Sequence, residues 1–210
     1  MSPFPLVPAL RFALACAVLL PLTYLAGSTL LANLMPTFHW MIGLIDDHYR
    51  ILHLGLAVQG ADSVIRLDIT LQRPLLVGGH LVIPDARGHA YVTTLTGHVL
   101  QALVVYWAIL FAWPAHTWHE AALRTCCALP FGWLLAAVDV PFVLTGELWA
   151  LFVERHAPTV FSPLLVWKDF LQGGGRLALA CTGGVATINL VQGIEARVRR
   201  HYDHSHIGAV

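Results

Sequence analysis

Charged residues are scarce in this chain of 210 residues. Asp, Glu, Lys and Arg together make up 11% of the sequence, and hydrophobic residues make up 57%. An average soluble domain contains roughly 25% charged residues. This composition excludes a water-soluble globular protein and indicates a chain that resides in a lipid bilayer.

An excess of either charge is also lacking, because twelve Lys and Arg residues balance twelve Asp and Glu residues. Without a basic field the chain has no strong attraction for nucleic acid, so nucleic acid is excluded from the expected partners. Long polar or Pro-, Gly- and Ser-rich tracts, which mark disordered chains, are absent from the sequence as well.

Motifs for catalysis or for metal binding are not found. The four cysteines lie in apolar segments, and the adjacent pair Cys126 and Cys127 lacks the spacing of a redox or zinc motif. The twelve histidines have no spacing typical of a metal or haem site. No nucleophile elbow, phosphate-binding glycine loop or zinc-protease helix is present in the sequence. We therefore assign no catalytic, cofactor-binding or metal-binding residue and expect no cofactor.

Four segments are apolar over the roughly 20 residues that a helix needs to cross a bilayer. Residues 1–35 contain the first span, which is expected to be an uncleaved anchor. Residues 96–194 contain three further spans, at about 96–113, 122–153 and 176–194. The predicted fold is therefore a mainly α membrane protein with four transmembrane helices, a small extracytoplasmic β insert and interfacial helices.

An even number of spans places both termini on one side of the membrane. The tail, residues 195–210, is basic and rich in histidine, and it contains Arg197, Arg199 and Arg200. Arginines close to span ends favour the cytoplasmic side. We therefore expect a multi-pass protein of the bacterial cytoplasmic membrane with both termini in the cytoplasm and membrane lipid as a partner.

The insert, residues 36–95, begins with apolar residues at helical spacing over 36–50, which predicts a short helix in the membrane interface. The period then changes to two, since apolar and polar residues alternate over 65–72. This alternation predicts a half-buried strand, with 51–58 as its partner and 59–62 as the turn. Residues 75–83, which Gly78 and Gly79 split, are expected to add a third strand that is bulged or broken there.

A sheet of this size buries too little surface to fold unaided. It must therefore pack against its own spans, the membrane surface or another protein. The candidate partner-facing residues of the central strand share one apolar face: Ile65, Leu67, Ile69 and Leu71. A free edge strand would also be a place for a partner to add a strand.

A second interfacial helix is expected near 162–172. Ser162 is a suitable N-cap, Pro163 suits the first turn, and the glycines from Gly173 to Gly175 end the helix.

Two acidic residues in the third span are candidate functional or packing residues. Asp139 lies deep in the apolar segment, where a carboxylate must be paired, neutralised or hydrated. Either it serves catalysis or proton relay, or it is protonated or bonded to a partner subunit or a neighbouring span, for instance to Thr182, Asn189 or Gln192 of the fourth span. Glu147, near the outer end of the span, is assigned to the interface.

Small residues recur every four positions in the fourth span, at Ala178, Thr182 and Ala186. Such a stripe lets helix backbones approach closely in lipid. Packing within the chain and docking to another subunit are both compatible with it.

The order of these parts resembles the small accessory membrane proteins associated with exosortases, the bacterial membrane sorting enzymes. The resemblance lies in the layout and in two segments, Leu31, Ala32, Asn33, Leu34 and Leu110, Phe111, Ala112, Trp113, Pro114. It implies a partner at the inner membrane in protein sorting or envelope export. The sorting enzymes themselves are implied to use an outward-facing Cys, Arg and His. Because Cys126, Cys127 and Arg124 are expected near the cytoplasmic side, that activity is not assigned.

The leading hypothesis from the sequence is a non-catalytic membrane subunit whose β insert binds or positions a partner protein on the outer side. The alternative is a membrane-embedded enzyme or transport component that uses Asp139.

Overall fold

The computed structural model describes residues 6–85, 88–115 and 117–207, and their side chains from 7 to 198. The chain is mainly helical, at 69%. The described helices are α1 Leu6–Ile45, α2 Thr96–Ala112, α3 Trp118–His156, α4 Pro163–Phe170 and α5 Arg176–Ile207. The described strands are β1 Tyr49–Gln59, β2 Asp62–Leu71, β3 Leu75–Val77, β4 His80–Val82 and β5 Ala90–Leu95.

Three helical segments are long and apolar enough to cross a membrane: Val7–Ile45, Trp118–His156 and Pro163–Val198. The chain is therefore mainly helical, with three helices that could span a membrane, while the four spans stay a prediction. Helix α2 is also apolar but has 17 residues. At about 1.5 Å per residue it extends for about 26 Å, slightly less than the roughly 30 Å of a hydrocarbon core.

Helices α1 and α5 are more than ten residues longer than the sequence predicted. Helix α1 continues past Pro36 and ends at Ile45, so the expected separate helix at 36–50 is wrong: its first ten residues belong to α1, and Tyr49 and Arg50 belong to β1. Its last turns bury Phe38 and Ile42 in the core beneath the sheet, and this packing favours continuation of the helix past Pro36. Helix α5 extends beyond residue 194 to Ile207, so the backbone of much of the expected tail is helical. The side chains of residues 199–210, which include Arg199 and Arg200, lie outside those described.

The chain divides into two compact units. The sheet unit comprises Leu22–Ala102 and Ala136–Arg176. The helical unit comprises Met1–Pro21, Leu103–Leu135 and Leu177–Val210.

The sheet of the sheet unit has the strand order β1, β2, β5, and both pairs are antiparallel. The predicted hairpin is confirmed, since Gln59 pairs with Asp62 and Gly60 takes the positive φ that its tight turn requires. The predicted break at Gly78 and Gly79 is confirmed, but residues 75–83 do not add a strand to this sheet. These residues form the separate hairpin of β3 and β4, which turns at Gly78 and Gly79, both with positive φ.

The apolar face of β2 forms the centre of the core. Ile65 and Leu67 are 0% exposed, and Ile69 is also buried. They belong to one cluster with residues of α1 and α3, and the half-buried Leu71 packs against its margin. This finding corrects the expectation of a partner-facing strand, because the chain's own helices cover this face.

Helix α4 begins as predicted, with Ser162 at the N-cap and Pro163 in the first turn. A π-helical turn, Leu171–Gly175, follows, and within it Gly174 has a φ of 110°. This conformation strongly favours glycine, which explains the break before α5.

Candidate functional site

A buried polar centre lies in the sheet unit at Asp139. The Nε of Arg176 donates to Oδ1 of Asp139 across 2.7 Å, and Nη2 of Arg176 donates to Oγ1 of Thr94 across 3.3 Å. Asp139 is 2% exposed, and the other two side chains are also buried. The three residues come from α3, from the first residue of α5 and from β5.

The charges of this centre compensate each other. A buried carboxylate or guanidinium alone would cost several kcal/mol, and the pair with its hydroxyl contact reduces that cost. One acceptor is unsatisfied, because Oδ2 of Asp139 is buried and has no hydrogen-bond partner among the described residues. The centre therefore joins three elements through polar contacts.

The sequence predicted that Asp139 bonds a neighbouring span, but it named other partners. Thr182 instead donates to the carbonyl of Ala178 in its own helix, and Asn189 and Gln192 are exposed. Arg176 was not among the partners predicted for Asp139. A lone arginine at the start of one apolar helix and a lone aspartate within another are a signal for such a pair.

Glu147 holds the segment around α4 against α3. Its Oε1 accepts from Nε2 of Gln172 across 2.7 Å and lies 3.5 Å from Nζ of Lys168. The neighbouring Gly146 permits this approach, since a Cβ at that position would lie 2.8 Å from the Cβ of Lys168. In the structure Glu147 therefore acts as a packing residue.

The polar face of the sheet carries an ordered group on β2 and β5. Arg66 donates to both carboxylate oxygens of Asp68, and its guanidinium lies 4.5 Å from the ring centroid of Tyr91. The hydrogen bond to Asp68 raises the pKa of Arg66. These contacts give the sheet a polar face opposite its buried one.

Strand β1 is an edge of this sheet. Among the described residues it pairs with β2 alone. The N–H and C=O groups that point away from β2 therefore have no strand partner. The register shifts between Ile51 and His53, and the strand is regular from His53 to Gln59. Leu54 and Leu56 on one face are half-buried, whereas Val58 on the same face is 79% exposed.

The helical unit contains a second buried ion pair, between Arg124 and Glu120. Arg124 also donates to the carbonyls of Leu110, Trp113 and Pro114 at the end of α2. It thereby satisfies carbonyls that a helix end leaves without partners. The sequence identified Arg124 only as a charge near the cytoplasmic side.

The small-residue stripe of α5 is not used within the helical unit. Ala178, Thr182 and Ala186 are exposed. The face that packs within the unit includes Gly184 and Thr187, where the hydroxyl of buried Tyr106 bonds Thr187. The stripe therefore does not pack within this unit. Its docking to another subunit stays a prediction.

One group of side chains in the described residues has the composition of a metal site. One ligand atom from each of Asp46, Asp47 and His48 lies within 4.8 Å of the others. Internal pairs already use these groups, since Asp46 bonds the His48 ring and Arg73 pairs with Asp47. This cluster therefore does not carry a functional assignment.

Comparisons with protein-family models, with curated proteins and with solved structures gave no significant match.

Proposed function

We propose that this chain is a non-catalytic integral membrane subunit that binds a partner protein at the outer face of the bacterial cytoplasmic membrane. The partner supplies an extended segment with apolar residues at alternate positions, and this segment adds as a strand beside β1. A role in protein sorting or envelope export, which the resemblance implies, belongs to the same proposal.

The free edge of β1 is the observation that carries this proposal. An edge strand offers a row of unpaired N–H and C=O groups to a second chain. The face that bears Leu54, Leu56 and Val58 becomes more exposed toward the hairpin turn. An added strand with apolar side chains would cover this face and extend the core beneath the sheet.

The proposed topology has four spans, with α2 as the shortest. Its 17 residues lie at the lower end of the roughly 17–25 that spanning helices use. Both termini are cytoplasmic in this arrangement, in agreement with the arginines of the tail. The sheet then lies outside, where a partner at the outer face reaches β1.

The buried centre at Asp139 supports a structural role for that residue over the alternative of an enzyme or transport component. Arg176 compensates the charge of its carboxylate, and Thr94 occupies a further donor of the same guanidinium. These contacts join α3 to the start of α5 and to β5, as expected of a residue that stabilises packing.

The test uses the full-length protein in native membranes, with a photoreactive side chain at position 58. We expect a crosslink to one partner, identified by mass spectrometry. We also expect the partner to slow amide hydrogen exchange within residues 53–59. Val58→Lys should abolish binding of the partner, because a lysine on an edge strand disfavours the addition of another strand.

Leu81→Lys is the matched control, since Leu81 is an exposed apolar residue of β4, which pairs with β3 and not with β1. The proposal fails if both lysine variants retain the partner equally. It also fails if partner binding protects other segments and leaves 53–59 unchanged.

A further inference from the structure

A groove in the helical unit combines an apolar wall with cationic side chains. Its volume is about 570 Å³, within the roughly 300–1,000 Å³ of ligand pockets. Leu14 and Val18 line it from α1, and both are exposed. Trp107 and Phe111 line it from α2, where their rings stack with centroids 5.8 Å apart. These walls suit an acyl chain.

Two arginines line the same groove, Arg11 from α1 and Arg124 from α3. Arg124 is buried, and its two terminal nitrogens bond Glu120 and the end of α2. Its Nε is buried and has no hydrogen-bond partner among the described residues. Arg11 is exposed, and the described residues that line the groove include neither Asp nor Glu.

We infer that this groove binds an anionic phospholipid from the surrounding bilayer. The acyl chain lies against the wall of α1 and α2, and the lipid phosphate lies against Arg11. Glu120 compensates the charge of Arg124, so Arg124 offers the phosphate only its unpartnered Nε as a donor. Basic pockets between spanning helices are suited to anionic headgroups. Trp113, which also lines the groove and is exposed, suits the depth of headgroups in a bilayer. The inference is independent of the partner proposed at β1.

Native mass spectrometry of the full-length protein in mild detergent tests the inference. The probes are phosphatidylglycerol and phosphatidylcholine with identical acyl chains, added in equal amounts. We expect the wild-type protein to retain phosphatidylglycerol in clear preference. Arg11→Gln should reduce this preference about fivefold, which is the usual effect of one basic residue near an anionic lipid. Arg11→Lys should retain most of it.

Arg197→Gln is the matched control, because Arg197 is an exposed arginine of the same unit that does not line the groove. Ala15→Phe should lower retention of both lipids by filling the apolar part. Thermal unfolding of each variant checks the fold. Equal retention of the two lipids by the wild-type protein would overturn the inference. Equal losses for Arg11→Gln and Arg197→Gln would overturn it too.

Discussion

The Nε of Arg176 donates to Oδ1 of Asp139 across 2.7 Å, although the two residues lie 37 positions apart in the chain. Because both are buried, removing either partner leaves an uncompensated charge. We expect Asp139→Leu or Arg176→Met to lower the free energy of unfolding by about 3–5 kcal/mol. The double variant should lose much less, which a double-mutant cycle in detergent will measure. Additive losses would show that the pair is not coupled. Asp68→Leu, in the more exposed pair with Arg66, should cost at most about 1 kcal/mol.

Substitution on the two faces of β2 should have unequal effects. Leu67→Asp places a charge in a site that is 0% exposed, so the loss should exceed about 3 kcal/mol. Thr70→Ala on the polar face should cost under about 1 kcal/mol. Thermal unfolding in detergent is the measurement. The burial by α1 and α3 predicts that Leu67→Asp destabilises the isolated chain, with no partner present. Indifference of the isolated chain would contradict the observed packing.

Tyr49 gives a prediction about pH. Its ring stacks on Phe152 with centroids 6.0 Å apart, and its hydroxyl is buried without a hydrogen-bond partner among the described residues. Burial, with a smaller effect of Asp46, raises the pKa of Tyr49 above its usual value of 10.0. The Tyr49 hydroxyl is thus easier to ionise in the unfolded chain. The contribution of neutral Tyr49 to the free energy of unfolding is therefore fully present below pH 10 and declines as pH rises above 10.

Tyr49→Phe should therefore unfold at the same or a higher temperature at pH 8, since no hydrogen bond is lost. Between pH 8 and pH 11 the variant should lose less stability than the wild-type protein. Tyr24→Phe serves as the control at an exposed tyrosine. An identical pH dependence in the wild-type protein and Tyr49→Phe would contradict burial of the hydroxyl.

Gly146 provides a test of the contact between α3 and α4. Gly146→Ala brings a methyl group to 2.8 Å from the Cβ of Lys168, so we expect a loss of about 1–3 kcal/mol from the resulting crowding. Gly43→Ala, in α1, meets nothing within 4 Å among the described atoms and should be neutral or slightly stabilising. Thermal unfolding of both variants compares them. A stabilising Gly146→Ala would show that α4 does not lie so close to α3.

Reporter fusions test the proposed topology. Fusions after Gln59 and Pro158 should report an outside location, because they lie in the segments proposed outside. Fusions at His116 and Val210, which are outside the described residues, should report the cytoplasm. Signals from an alkaline phosphatase and a fluorescent protein at each site provide opposite readouts. An outside location for Val210 would contradict four spans.

The local parts of the fold were predictable from the sequence. Strict alternation over residues 65–72 specified β2, and the turn at Gly60 specified its pairing with β1. The glycines before Arg176 specified the break at α5. In each case neighbouring residues carry the whole signal, because periodicity and turn chemistry are local properties.

The missed features depend on residues distant in sequence. Strand β5 has six residues and ends directly before α2, so its short pattern was not separated from the apolar span that follows it. Its identity follows from pairing with β2, for example Leu67 with Val92. The pairing of Asp139 with Arg176 likewise depends on how the helices pack, because each residue alone is compatible with several partners.

The chain order of the buried centre also affects how the protein is made. The ribosome produces Asp139 before Arg176, so for the interval of 37 residues the carboxylate lacks the guanidinium that compensates it. A charged α3 would enter lipid only at high cost during that interval. Entry of α3 into lipid should therefore become more favourable once the start of α5 has been synthesised and Arg176 can pair with Asp139.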